Sequence, residues 1–141
     1  MDKVIFLWDC NDSYTNVATL KSQTNAITSL HWTHEDKLIA ASADRSLCNW
    51  DVEASKVVRK YRGHTSIVHS VACPKKTRDL IASVADDGVL RIWDTKLKEE
   101  IRICQTKYPL TSVCFSMNGD KVYFGGIDNE IKCFDIASDK I

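Results

Sequence analysis

Gly63-His64-Thr65-Ser66 opens, Asp86-Asp87-Gly88 divides and Ile92-Trp93-Asp94 closes a stretch that the rest of the chain repeats. The closing pair recurs as Trp8-Asp9, Trp50-Asp51 and, in altered form, Phe134-Asp135, at separations of 42, 43 and 41 residues. Six residues before each aromatic stands an aspartate: Asp2, Asp44, Asp87 or Asp128. Two residue types locked at one offset through four units mark an internal repeat. Its period is one at which a unit is a four-stranded β blade.

Between each aspartate and its aromatic lies a run long enough for one strand, such as Val4-Ile5-Phe6-Leu7, Val89-Leu90-Arg91-Ile92 or Glu130-Ile131-Lys132-Cys133. A turn is expected at its start. Asp87-Gly88 and Asp128-Asn129 read as two-residue hairpin turns, since Gly, Asn and Asp tolerate the positive φ such turns need, and Asp44-Arg45 is a poorer version. A tryptophan closing a buried strand brings a large apolar area and an indole N–H that needs an acceptor. The repeat aspartates with Trp8, Trp50, Trp93 and Phe134 are therefore the frame of the fold. WD-repeat proteins are what the chain resembles at these residues, and the fold class this implies is all-β, a WD-repeat β-propeller.

In that family the His of a Gly-His pair, a strand Ser or Thr, the turn Asp and the Trp form a buried hydrogen-bonded chain in each blade. The resemblance carries these roles to His64, Ser83, Asp87 and Trp93. The Gly63-His64 position is Ser22-Gln23 in the preceding repeat and Gln105-Thr106 in the following one. Only one blade is thus expected to build the whole network. The others should lean on apolar packing, because a buried polar group left without a partner costs about 1–3 kcal/mol.

The chain has 141 residues, 44% of them hydrophobic. Taken in order, residues 2–9 and 17–21 read as two strands around a polar loop that includes Asn11-Asp12 and Tyr14. Four strands follow at 26–32, 38–42, 47–51 and 56–61, four more at 67–73, 80–84, 89–94 and 99–104, and three at 110–115, 121–125 and 131–136. Asn118-Gly119 is the strongest hairpin signal. The expectation is a partial propeller: an incomplete blade at 1–21, full blades at 22–62 and 63–104, and an incomplete blade at 105–141. A seven-bladed ring needs 28 strands against these 13, so a truncated or incomplete gene product is expected.

Lys plus Arg equals Asp plus Glu at 19 each, which disfavours binding to RNA or an anionic membrane through bulk charge. No apolar run approaches a membrane span and no leader is visible, so a soluble, unexported chain is expected. Six cysteines (Cys10, Cys48, Cys73, Cys104, Cys114, Cys133) form no CxxC pair. Most fall in expected strands and read as reduced, small core residues of a cytosolic or nuclear protein. His31 and His34 lack a third ligand and Lys75, Lys76 and Arg78 read as a solvated turn. No phosphate loop, HExxH or GxSxG is present, and Asp86-Asp87 is a structural turn rather than an acid–base pair. No catalytic residue, metal site or cofactor is expected.

A rigid interaction scaffold is therefore preferred to a propeller enzyme, which would need convergent polar groups at the inner blade ends, where Ser, Thr and Ala predominate. Arg62-Gly63-His64-Thr65-Ser66-Ile67-Val68 and, above all, Gly125-Gly126-Ile127-Asp128-Asn129-Glu130-Ile131-Lys132 are similar to the forty-kilodalton WD-repeat family of the U-five small nuclear ribonucleoprotein. So is the opening, from Leu7-Trp8 through Asn11-Asp12 and Tyr14 to Ala18-Thr19-Leu20-Lys21. The resemblance covers almost the whole chain. Gln23 replaces the repeat histidine and Phe134 a tryptophan, marking a divergent member. It implies a non-enzymatic nuclear subunit of the spliceosome, docked on the large central splicing factor and other U-five proteins, with RNA met only through the complex. The alternative is an adaptor of a ubiquitin ligase or a chromatin complex. Ligase receptors commonly carry an Arg two residues after Trp-Asp, where this chain has Asn11, Glu53, Lys96 and Ala137. No partner-contact residue is singled out.

Overall fold

A computed structural model describes residues 2–11, 14–33, 35–76, 79–97 and 99–141. His34 and Arg78, weighed above as ligand and basic tip, lie outside the described residues, as does Asp12. The described residues form 13 strands in four antiparallel sheets. β1 (Val4–Trp8) pairs with β2 (Asn16–Lys21). β3 (Ile27–Trp32), β4 (Leu38–Ser42), β5 (Ser46–Asp51) and β6 (Lys56–Arg62) form the first four-stranded sheet. β7 (Val68–Ala72), β8 (Leu80–Ala85), β9 (Val89–Asp94) and β10 (Glu99–Gln105) form the second. β11 (Leu110–Phe115), β12 (Lys121–Gly126) and β13 (Ile131–Asp135) complete the set. This is a partial propeller, two whole blades between two incomplete ones.

The sheets stack face to face, and each seam is a separate apolar cluster. Ile5 and Leu20 meet Leu38, Ala40, Cys48 and Trp50. Ile39, Ala41, Leu47 and Tyr61 meet Val68, Val71, Ile81 and Trp93. Leu80, Ala82, Val84 and Ile92 meet Leu110, Val122, Phe124 and Phe134. β4 and β8, covered on both faces, are buried throughout. Their alanines let neighbouring sheets approach, while edge strands β2, β6 and β10 each have a single buried residue. Hydrogen bonds also cross the seam between the two whole blades, from Thr28 Oγ1 to the Val68 carbonyl (2.6 Å) and from the Val71 N–H to Ser29 Oγ (3.4 Å).

The repeat turns differ from the two-residue reading. β4–β5 and β8–β9 are joined by three residues, with Arg45 N–H bonded to the Ser42 carbonyl and Gly88 N–H to the Ala85 carbonyl. Only the last turn residue has positive φ, 69° at Arg45 and 71° at Gly88, with Asn129 at 60° in a four-residue loop. A two-residue type I′ turn would need it at both central positions, whereas a type I turn closed by one left-handed residue leaves the aspartate right-handed. The aspartate side chain is then free to act as an acceptor. Asn118-Gly119 likewise sits in a five-residue loop, with φ of 71° at Gly119 alone.

The cysteine expectation holds for half the set. All six thiols are free; Cys48, Cys73 and Cys104 are buried, but Cys10 and Cys114 are exposed and Cys133 is intermediate. Cys10 follows the end of β1, and Cys114 points out of the last sheet where no further sheet covers it.

Candidate functional site

His64, on the loop between β6 and β7, reaches across β8 and its following turn. Its Nε2 lies 2.8 Å from Ser83 Oγ and its Nδ1 3.0 Å from Asp87 Oδ2. Trp93 Nε1–H donates to the same Ser83 Oγ at 2.9 Å. Asp87 also accepts the backbone N–H of Thr65 (2.9 Å) and of Val89 (3.1 Å). With Nδ1–H donating to the carboxylate, Nε2 is the acceptor for the serine proton, so a neutral imidazole satisfies every partner. Burial pushes the His64 pKa down against the pull of Asp87. Burial alone would raise Asp87, but the Thr65 N–H and His64 bonds hold it below the usual carboxylate range.

Ser83, His64 and Asp87 thus stand in the order and at the distances of a hydrolase triad. Access separates the two cases. Ser83 is fully buried and its oxygen already accepts the Trp93 indole, so a substrate carbonyl has no approach to the nucleophile. The triad geometry here braces the blade, tying an inter-blade loop to a middle strand, a turn and the closing aromatic.

The preceding blade solves the same problem with other residues. Asp44 accepts Thr24 N–H (3.0 Å), Thr24 Oγ1 (3.2 Å), Ser46 N–H (3.1 Å), the Ser46 hydroxyl and Lys60 Nζ (3.3 Å). Burial works to raise its pKa, yet the bonds from Ser46, Thr24 and Lys60 win and bring it to about 2. Gln23 donates instead to the Ala40 carbonyl (3.2 Å). Ala40 stands ten residues before Trp50, as Ser83 does before Trp93, and offers no hydroxyl. Trp50 Nε1 and Gln23 Oε1 are accordingly buried without a hydrogen bond.

In the last sheet Phe124 occupies the Ser83 position and packs with Phe134, which has no N–H to satisfy. Asp128 pairs with Lys132 and accepts Glu130 N–H (3.4 Å), while Thr106 bonds the Gly88 carbonyl rather than reaching the turn. Asp2, in the first unit, contributes its main-chain carbonyl to Ile27 N–H (3.3 Å). Trp50, Trp93 and Phe134 each pack against the sheet before their own, at 3%, 4% and 3% exposure. Trp8 is 57% exposed because no described sheet precedes β1–β2. Thr24, Ser46 and Lys60 were missed by sequence reasoning. The signal was Thr24 itself, one residue after Gln23 as Thr65 follows His64.

Among the described residues no group of three His, Cys, Asp or Glu could hold a metal ion. His31 Nδ1 lies 2.8 Å from the Trp32 carbonyl oxygen. Lys75 lines a cleft of about 210 Å³ with His31, Cys73 and Met117.

Comparison with known proteins agrees with this geometry. The WD domain, G-beta repeat family matches residues 14–51 and 55–94. The pre-mRNA-splicing factor cwf17 of Schizosaccharomyces pombe is 34% identical over 98% of this chain and 41% of its own length. The U5 small nuclear ribonucleoprotein 40 kDa protein of Dictyostelium discoideum is 38% identical over 97% of the chain and 39% of its length, and its human counterpart 35% over 89% and 36%. The chain therefore spans about two fifths of the length of these relatives. With repeats, sheet topology and relatives in agreement, the chain belongs to the WD-repeat family.

Proposed function

We propose that the protein is a non-catalytic scaffold in pre-mRNA splicing, a nuclear subunit of the U5 small nuclear ribonucleoprotein. The observation that carries this is the similarity of nearly the whole chain to proteins named as a splicing factor and as U5 particle components. The geometry supports a scaffold: the triad-like cluster at Ser83, His64 and Asp87 is sealed, and its polar chemistry is spent on bracing the blade. His64, Ser83, Asp87 and Trp93 hold the second full blade. Asp44, Asp128 and Asp2 mark the equivalent turns, and Trp8, Trp50 and Phe134 the equivalent strand ends. The units are 1–21, 22–62, 63–104 and 105–141. The partners are the large central splicing factor and other U5 proteins, RNA being reached through them.

Affinity purification of the tagged protein from nuclear extract tests the reading. Splicing proteins and U5 RNA in the eluate, with the RNA lost after protein partners are stripped by high salt, are expected. A cullin adaptor or a chromatin complex without RNA overturns it.

A further inference from the structure

The first three sheets end in an outer edge strand, β2, β6 or β10, that is paired on one side only, and the fourth ends at β13, which pairs only with β12. Their charges differ. β2 (NVATLK) carries one cation; β10 (EEIRICQ) carries two acids and one cation; β6 (KVVRKYR) carries Lys56, Arg59, Lys60 and Arg62 with no acid. In a chain with no net charge this is a local concentration of one sign. Lysine on an edge strand commonly guards against edge-to-edge aggregation. β2 manages with a single lysine, Lys21, and β10 with none.

Two clefts flank β6 and share Lys60, Arg62 and Gly63. One, of about 280 Å³, adds Arg45 and Asp44; the other, of about 470 Å³, adds Arg59, Arg91 and Glu100. Part of this charge is internally committed, Lys60 to Asp44 and Arg91 to Glu100. Arg45, Lys56 and Arg62 have no carboxylate partner among the described residues, and all three are exposed. The aromatic rings beside the clefts, Tyr61 and Trp93, are buried against each other with centroids 5.6 Å apart. They present no open face on which a nucleobase could stack, as single-strand binding requires. Cations without a stacking platform, beside a strand with an unpaired edge, suit an extended polypeptide that carries carboxylates.

We propose that the outer edge of β6 docks an extended acidic segment of a partner protein. The segment adds main-chain hydrogen bonds to the strand and sets its carboxylates on Lys56, Arg62 and Arg45 along roughly 20 Å of strand. This rests on the scaffold reading, but it is tested by direct binding, so its failure leaves the extract experiment untouched.

The probe is a fluorescein-labelled dodecapeptide of alternating Glu and Thr, titrated with the whole chain and followed by anisotropy at 50 mM salt. Saturable one-to-one binding is expected, weakened at least tenfold by Lys56→Glu with Arg62→Glu, and left within twofold by Arg102→Glu on β10. If the charge-reversed chain does not fold, Lys56→Gln with Arg62→Gln replaces it, and a threefold or greater loss is expected. An N-methylated peptide of the same sequence should bind at least tenfold more weakly, since it cannot pair with the strand. Absence of saturable binding overturns the proposal. So does equal binding by the N-methylated peptide, indifference to the β6 substitutions, or tighter binding of a twelve-nucleotide polyuridylate.

Discussion

Replacing Ser83 with alanine removes one oxygen from the centre of the second full blade. That oxygen accepts Trp93 Nε1–H at 2.9 Å and lies 2.8 Å from His64 Nε2. Ser83 is fully buried and His64 and Trp93 nearly so, which leaves both partners without solvent to turn to. A buried polar group stripped of its partner costs about 1–3 kcal/mol. The native chain already tolerates one such indole, at Trp50, so the lower part of that range applies to each group. Ser83→Ala should thus destabilise by roughly 2–4 kcal/mol, a fall in Tm of roughly 5–15 °C for a chain of this size. Urea titration followed by tryptophan fluorescence and far-ultraviolet circular dichroism measures it. In a double-mutant cycle, Trp93→Phe should recover about 1 kcal/mol of the loss, because the ring stays while the orphaned donor goes. Conversely, Ala40→Ser gives Trp50 an acceptor and should gain about 0.5–1.5 kcal/mol. A loss below about 0.5 kcal/mol for Ser83→Ala, or strict additivity with Trp93→Phe, would refute the bracing argument.

Acid should weaken the fold in two windows. His64 is held below its ordinary 6.5 by burial, so its contribution is whole above pH 6.5 and falls as the pH drops below that value; His64→Gln should flatten this limb of the stability curve. Asp44, at about 2 against 3.8 in the unfolded chain, contributes about 1–2 kcal/mol after allowance for screening. That part is complete above pH 3.8 and lost as the pH falls through about 2, and Asp44→Asn should remove it. Gly126→Ala would place a Cβ 2.1 Å from the Pro109 carbonyl oxygen, a backbone atom with no rotamer to yield. A loss of about 1–3 kcal/mol or more is expected, and an unchanged urea midpoint would refute the close approach. Aromatic disulfide reagent should label Cys10 and Cys114 at once. Cys73, its thiol pushed up to about 12 by burial, should react only on unfolding. Phe6 and Trp8, 51% and 57% exposed on one end sheet, and Tyr123 and Ile131 on the other, should make the chain self-associate. A concentration-independent monomer in sedimentation velocity would count against that.

What could be read in the sequence was equivalence, and what could not was contact. The four aspartates and four aromatics share one offset because a turn and the strand after it are local, and local geometry repeats wherever the same residues do. The strands that follow these aspartates, β1, β5, β9 and β13, lie where that offset puts them. Burial does not follow from the offset, since it depends on the neighbouring sheet: Trp8 and Trp50 occupy matching strand ends, yet of the two only Trp50 packs on a described sheet before its own. Turn length escaped as well, because Asp-Gly suits both a two-residue hairpin and the close of a type I turn, and the register of the flanking strands decides between them. The brace shows the same division. Gly63-His64 pointed to one blade with an imidazole link, and that cluster meets within 3.0 Å. Nothing in Ser22-Gln23 announced that Thr24, Ser46 and Lys60 would gather on Asp44 in its place. A repeat that loses its histidine still has a buried carboxylate to satisfy, and the nearest donors are recruited to it. The indole is left to packing, because the position that would supply its acceptor is Ala40, which has no hydroxyl. The turn aspartate, with five bonds collected at Asp44, is therefore the demand that both whole blades share, and the histidine is only one way of meeting it.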